Sequence, residues 1–127
     1  MIIETELDGK TVSAIERHYL HAKEKHPYFC DRILPKEAYQ PTKDDALKEL
    51  QSSLLGMRKE LKDAVQKGEC SAFAVAACEW LEFLEAVMMG NHAFAIEECY
   101  DIIAVLLRVI DVLEGRQTLG KPKEGAE

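Results

Sequence analysis

Residues 68–107 read GECSAFAVAACEWLEFLEAVMMGNHAFAIEECYDIIAVLL. These 40 residues contain no Lys and no Arg, yet carry Glu69, Glu79, Glu82, Glu85, Glu97, Glu98 and Asp101. Nearly everything else is apolar, at a spacing that predicts two helices, Ala72–Met89 and His92–Glu114, split by a turn at Gly90-Asn91. Acids on a solvated helix face are ordinarily interleaved with Lys or Arg, which supply partners one turn away. Here no such base is available locally. Carboxylates crowded on apolar helices repel one another and resist losing water. They must therefore protonate, point to solvent, or gather around a cation. A metal ion is the expected cation.

Working outward, 127 residues suit one all-α domain across 1–127. The net charge of −7 argues against a nucleic-acid polymer or an acidic membrane surface as partner. It leaves room for a metal-dependent nucleotide site, because a bound divalent ion inverts the local charge. Cys30, Cys70, Cys78 and Cys99 show no zinc or disulfide spacing and suggest a cytoplasmic protein with reduced thiols. Residues 1–4 carry no basic stretch and no long apolar run, so no leader is expected there. Acids interrupt the later apolar runs, so no membrane span is expected.

Upstream, a first helix is expected over about Ala14–Lys25, opened by a capping box at Ser13 and Glu16 and stopped by His26-Pro27. Residues 27–42 read as a loop, with a short helical turn near Pro35–Tyr39 as the alternative. A second helix begins after Thr42. Leu47, Leu50, Leu54, Met57, Leu61 and Ala64 alternate spacings of three and four, which is a bundle seam, and Lys67-Gly68 stops it. The fold class is therefore all-α with four helices, the motif-bearing part being 43–114 and the ends peripheral. The helices beyond Gly68 are apolar on more than one side, which one amphipathic partner cannot cover. A homo-oligomer, dimer or tetramer, is expected. Residues 119–127 read as a ragged tail whose Lys121 and Lys123 could order over phosphate.

Glu79, Glu82 and Glu85 stand three apart on the third helix, and Glu98 and Asp101 repeat the spacing on the fourth. Residues three apart lie about 60° apart around a helix, so adjacent acids can share a ligand. Glu82 lies eight residues before Gly90 and Glu98 eight after it, so an antiparallel hairpin sets them at one height. Oxygen ligands in that number suit Mg²⁺ or Mn²⁺. The competing reading is that these acids line a solvent face or pair with Arg58, Lys59 and Lys62 on the second helix.

Glu79-x-x-Glu82, then fifteen residues, then Glu98-x-x-Asp101 resembles the E-x-x-E, spacer, E-x-x-D motif of the MazG-like all-α nucleoside triphosphate pyrophosphohydrolases. The context is similar as well. Glu79 to Ala86 looks like that family's E-x-G-E-L-x-E-A run, and Glu97 to Ile103 like its E-E-L-x-D-V-L. Leu81 stands where the family carries a small residue, and the tail offers only Arg116, Lys121 and Lys123 where many relatives hold the nucleotide. The resemblance implies a four-helix MazG-like bundle in which Glu79, Glu82, Glu98 and Asp101 hold Mg²⁺. Glu85 is an auxiliary ligand, or the first pair is Glu82 and Glu85. It implies that a nucleoside triphosphate is hydrolysed to the monophosphate and pyrophosphate, with Glu82 or Glu85 orienting or deprotonating water. Arg58, Lys59, Lys62 and Arg108 are the candidate phosphate contacts. The other function class is a non-catalytic helical oligomer that binds nucleotide or regulates.

Further candidates are weaker. No E-x-x-H occurs, which disfavours a di-iron site. His18 and His21 share a helix face without a second helix of ligands, so a surface pair is expected. His26 is better read as a turn residue than as a lid. Trp80 and Phe83 fit packing better than base stacking. Nothing basic near Cys78 or Cys99 activates a thiol.

Overall fold

The computed structural model describes residues 6–39 and 43–120, and every regular element among them is helical. In chain order these are α1 (Gly9–Lys25), a single 3-10 turn (Lys36–Tyr39), α2 (Lys43–Lys67), α3 (Ala72–Met88) and α4 (His92–Leu113). The chain divides into two compact units, Met1–Ile33 and Leu34–Glu127, and the boundary falls within the proline-containing loop. No helix among the described residues is long and apolar enough to cross a membrane.

In the first unit, α1 starts five residues earlier than the expected Ala14. Asp8 is its cap: the carboxylate accepts from the Thr11 backbone N–H at 3.1 Å, and the Asp8 carbonyl accepts from Val12 N–H at 3.0 Å. A short acidic side chain three residues before a free N–H satisfies one of the orphan donors that open a helix, so Ser13 is left inside the helix rather than at its cap. Lys23 and Lys25 close the last turn, where positive charge suits the carbonyl end of the dipole, and Lys23 Nζ lies 5.3 Å from the Tyr19 ring centroid.

In the second unit, the 3-10 turn packs against α2, α2 against α3, and α3 against α4. The turn at Lys36–Tyr39 is the helical alternative read from the sequence. All six positions of the α2 seam, Leu47, Leu50, Leu54, Met57, Leu61 and Ala64, are buried or half-buried, while Leu55 beside them is exposed. Leu54 is the deepest, at 1% exposure. Ser71 caps α3 by accepting from Ala74 N–H at 3.1 Å.

The hairpin between α3 and α4 is made by two residues with separate tasks. Gly90 takes φ of 73°, which a side chain would strain. Its N–H reaches the Val87 carbonyl at 3.0 Å, and the Asn91 N–H reaches Ala86 at 2.9 Å, the paired bonds of a Schellman stop. Asn91 then caps α4 by accepting from Phe94 N–H at 3.2 Å. Met89 and Glu114 are caps rather than last helical residues, so each helix is one residue shorter than its periodicity suggests.

The buried apolar residues Leu54, Cys78, Ala86, Met88 and Ala95 form a thin core, and Leu34 joins it from the loop. Phe73, Trp80, Ile96, Tyr100, Ile103 and Leu106 remain exposed on α3 and α4. The Thr42 start of α2, Ile2, Ile3 and tail residues 121–127 with Lys121 and Lys123 lie outside the described residues.

The seam makes a direct expectation. Leu54→Ala should destabilise the fold by about 2–5 kcal/mol in urea denaturation, the usual cost of emptying a packed leucine site. Leu55→Ala, at a largely exposed position, should stay within about 0.5 kcal/mol of wild type.

Candidate metal centre

The four acids of the paired motif are placed by helix geometry alone. Glu79 and Glu82 lie on α3, Glu98 and Asp101 on α4, each pair separated by nearly one turn. The Gly90-Asn91 turn folds α4 back along α3. Glu79 and Asp101 are eleven residues from Gly90 on either side, and Glu82 and Glu98 are eight. As a result, one carboxylate oxygen each from Glu79, Glu98 and Asp101 lie within 4.8 Å of one another. The group runs from dry to wet: Glu98 is buried at 4% exposure, Glu79 is half-buried and Asp101 is exposed.

Burial of these acids is not compensated by ordinary partners. Glu79 Oε2 and Glu98 Oε2 are both buried and accept no hydrogen bond. Leaving a buried polar atom unpaired carries the full desolvation penalty, about 1–3 kcal/mol and more for a charged group. Both carboxyls are pushed upward accordingly. Glu98 is pushed up to about 8, first by burial, then by a hydrogen bond to Glu79 and by the charge and hydrogen bonding of Glu82. Glu79 is also raised, foremost by burial. The Glu98 hydrogen bond and Arg58 oppose that rise, while the Glu82 and Asp101 charges add to it. Both shifts share one first cause, the loss of water around crowded carboxylates.

Glu82 has a different solution. Arg58 reaches across from α2 and donates to Glu82 Oε1 from Nε at 3.2 Å and from Nη2 at 3.1 Å. The convergence of three acids and the pairing of a fourth with a second-helix base thus occur side by side. Glu79, Glu98 and Asp101 converge, while Glu82 pairs with a base of the second helix. Glu85 sits half-buried about one turn further along α3 and is not among the three that meet.

Beside the acids is an open groove of about 450 Å³ walled by Arg58, Leu61, Lys62, Val65 and Gln66 of α2 and by Cys78, Glu79 and Glu82 of α3. Of the four expected phosphate contacts, Arg58 and Lys62 line it. Lys59 and Arg108 are exposed and lie outside its walls. Val65 and Gln66 have no role in the sequence reading, and Leu61 has one only as a seam position. Yet Arg58, Leu61, Lys62 and Val65 are spaced as one helix face, and that spacing was the available signal.

Trp80 and Phe83 stack on each other, with centroids 5.4 Å apart and planes at 27°. The Cys78 thiol is raised above its ordinary value, chiefly by burial and next by Glu82, so it is held protonated rather than activated. His18, His21 and His26 belong to the first unit and join no cluster of metal-ligating groups among the described residues. No family model, curated protein or solved structure matches this chain.

The raised Glu98 fixes the sign of a pH dependence. Its folded value of about 8 lies above the ordinary 4.5, so between these the folded protein binds more protons than the unfolded chain. Stability then falls as pH rises through that window. In EDTA, the melting temperature should drop steadily from about pH 5 to about pH 8.5. Glu98→Gln should flatten that slope, because the amide donates where the proton stood and carries no charge to lose.

Proposed function

We propose that this chain is a Mg²⁺- or Mn²⁺-dependent nucleoside triphosphate pyrophosphohydrolase. The observation that carries the reading is the meeting of Glu79, Glu98 and Asp101 around a buried, unpartnered Glu98 oxygen. The donor set is all carboxylate oxygen, the chemistry that suits a hard divalent ion with water left in its shell. The resemblance of the two spaced acid pairs to the MazG-like motif supports the same reading, and with it a MazG-like bundle.

Glu79, Glu98 and Asp101 would hold the ion, with Glu82 as the fourth ligand. When bound, the ion offsets the charge that builds on the phosphorus oxygens. The chain supplies the rest. Glu82 or Glu85 orients the attacking water and accepts its proton. The water oxygen bonds to the α-phosphorus as the α–β anhydride bond breaks, giving a nucleoside monophosphate and pyrophosphate. Arg58 and Lys62 bring positive charge to the groove through which the phosphates approach.

We also infer a cytoplasmic homo-oligomer. Trp80, Ile96, Tyr100, Ile103 and Leu106 leave apolar surface on α3 and α4 that a second copy would cover, giving a dimer or tetramer. Light scattering at micromolar concentration should give a mass above one chain, and a monomer would remove the oligomer.

The metal reading is tested by melting with Mg²⁺ or Mn²⁺ and a nucleoside triphosphate panel. Wild type should melt at least several degrees higher with millimolar metal. It should also release pyrophosphate rather than orthophosphate. Glu98→Gln should lose both the metal-induced rise and hydrolysis. Metal binding without turnover would favour the nucleotide-binding or regulatory oligomer. Absence of metal binding at millimolar concentration, with or without nucleotide, would overturn the enzyme.

A further inference from the structure

We propose that Arg58 is a stand-in cation that holds Glu82 against a bare divalent ion and yields it when the ion arrives complexed by a polyphosphate. The inference rests on the metal reading above and concerns which form of the ion the site accepts.

The geometry sets up a competition for one carboxylate. Two nitrogens of Arg58 converge on the same oxygen of Glu82, at 3.1 and 3.2 Å. Glu82 and Glu98 each stand eight residues from Gly90, and Glu82 is outside the three acids that converge. A divalent ion held by Glu79, Glu98 and Asp101 would gain Glu82 as a fourth carboxylate only in competition with the guanidinium. The guanidinium stays charged at every working pH, so it cannot give way by losing a proton. A bare ion must therefore displace Arg58 or tolerate its repulsion at close range.

The same arginine has somewhere to go. Its side chain is 51% exposed, against 20% for Glu82, so Arg58 is the partner free to swing. It opens onto the groove that Lys62 also lines. A phosphate chain brought in with the ion would offer the guanidinium two oxygens in place of the single Glu82 oxygen, and Arg–phosphate pairing in that bidentate form is strong. Phosphate oxygens would carry negative charge that both the ion and the guanidinium attract, which would offset their mutual repulsion. Arg58 is thus a penalty for the free ion and a contact for the ion–polyphosphate complex.

The experiment is calorimetry on the full chain, titrated with Mg²⁺ alone and with Mg²⁺ plus inorganic triphosphate, which carries no base to be selected. Arg58→Gln should bind bare Mg²⁺ about three- to tenfold more tightly, because Glu82 is released from an ion pair of modest strength. The same variant should bind the Mg²⁺–triphosphate complex about tenfold or more weakly, having lost a charged contact to phosphate. Opposite signs from one substitution are the signature. Lys48→Gln, which removes the same charge from α2 outside the groove, should move neither affinity by more than about twofold. Arg58→Lys, which keeps the charge but not the two-nitrogen contact, should fall between wild type and Arg58→Gln in both titrations, and it carries the test if the glutamine variant does not fold. If Arg58→Gln and Arg58→Lys shift both affinities in one direction, or neither, while wild type binds Mg²⁺, the stand-in role is overturned and the metal centre survives. If wild type binds no Mg²⁺ in either titration, both fall together.

Discussion

Carboxylates brought together where one of them has lost its water need positive charge, and the second unit is arranged around that need. The need arises from register. A Schellman stop at Gly90 followed at once by the Asn91 cap leaves no slack between α3 and α4, so residues equally distant from the turn lie at one height. Of the acids at eight and eleven residues on either side, Glu79, Glu98 and Asp101 converge. Moving any of them by one position would rotate it about 100° around its helix and disperse the cluster.

Two partial remedies offset that need. The raised Glu98 carboxyl favours its neutral form at the driest position, and Arg58 pairs with Glu82 at the wetter edge. Neither satisfies the buried oxygens Glu79 Oε2 and Glu98 Oε2. A purely structural acid pair could be replaced by apolar residues of similar size with no loss of stability. An arrangement that keeps its acids, has no Lys or Arg from Gly68 to Leu107, and leaves buried oxygens unpaired tolerates an energetic cost at one location. Costs of that kind concentrate where a ligand is expected to relieve them.

Much of this was legible in the sequence because helix periodicity is a local property. The α2 seam from Leu47 to Ala64, the stops at Gly68 and Gly90, and the equal spacing of Glu82 and Glu98 about the turn all follow from residue order. The start of α1 was misread because Ser13 and Glu16 match a capping box, while Asp8 caps through a single carboxylate and carries no downstream signature. The reach of Arg58 was not legible in a stronger sense. Lys59 and Lys62 are equally basic neighbours, and the choice among three bases depends on how α2 is rotated against α3. Nor does sequence spacing rank the acids by depth, since the Glu98-x-x-Asp101 pair looks symmetrical while one member is buried and the other exposed.

That difference in depth bears on what the site can do. A uniformly exposed cluster would bind cations weakly and without discrimination, as solvated carboxylates do in high dielectric. A uniformly buried one would hold its protons and resist ionising at neutral pH. Here the gradient from Glu98 through Glu79 to Asp101 would give a divalent ion a wet side from which to enter and a dry side on which its charge counts most. The groove with Arg58 and Lys62 lies beside Glu79 and Glu82, so positive side chains flank the acids on the α2 side. Acids on one wall and bases on the other suit a ligand that carries both signs of charge, and a divalent ion on a polyphosphate is such a ligand.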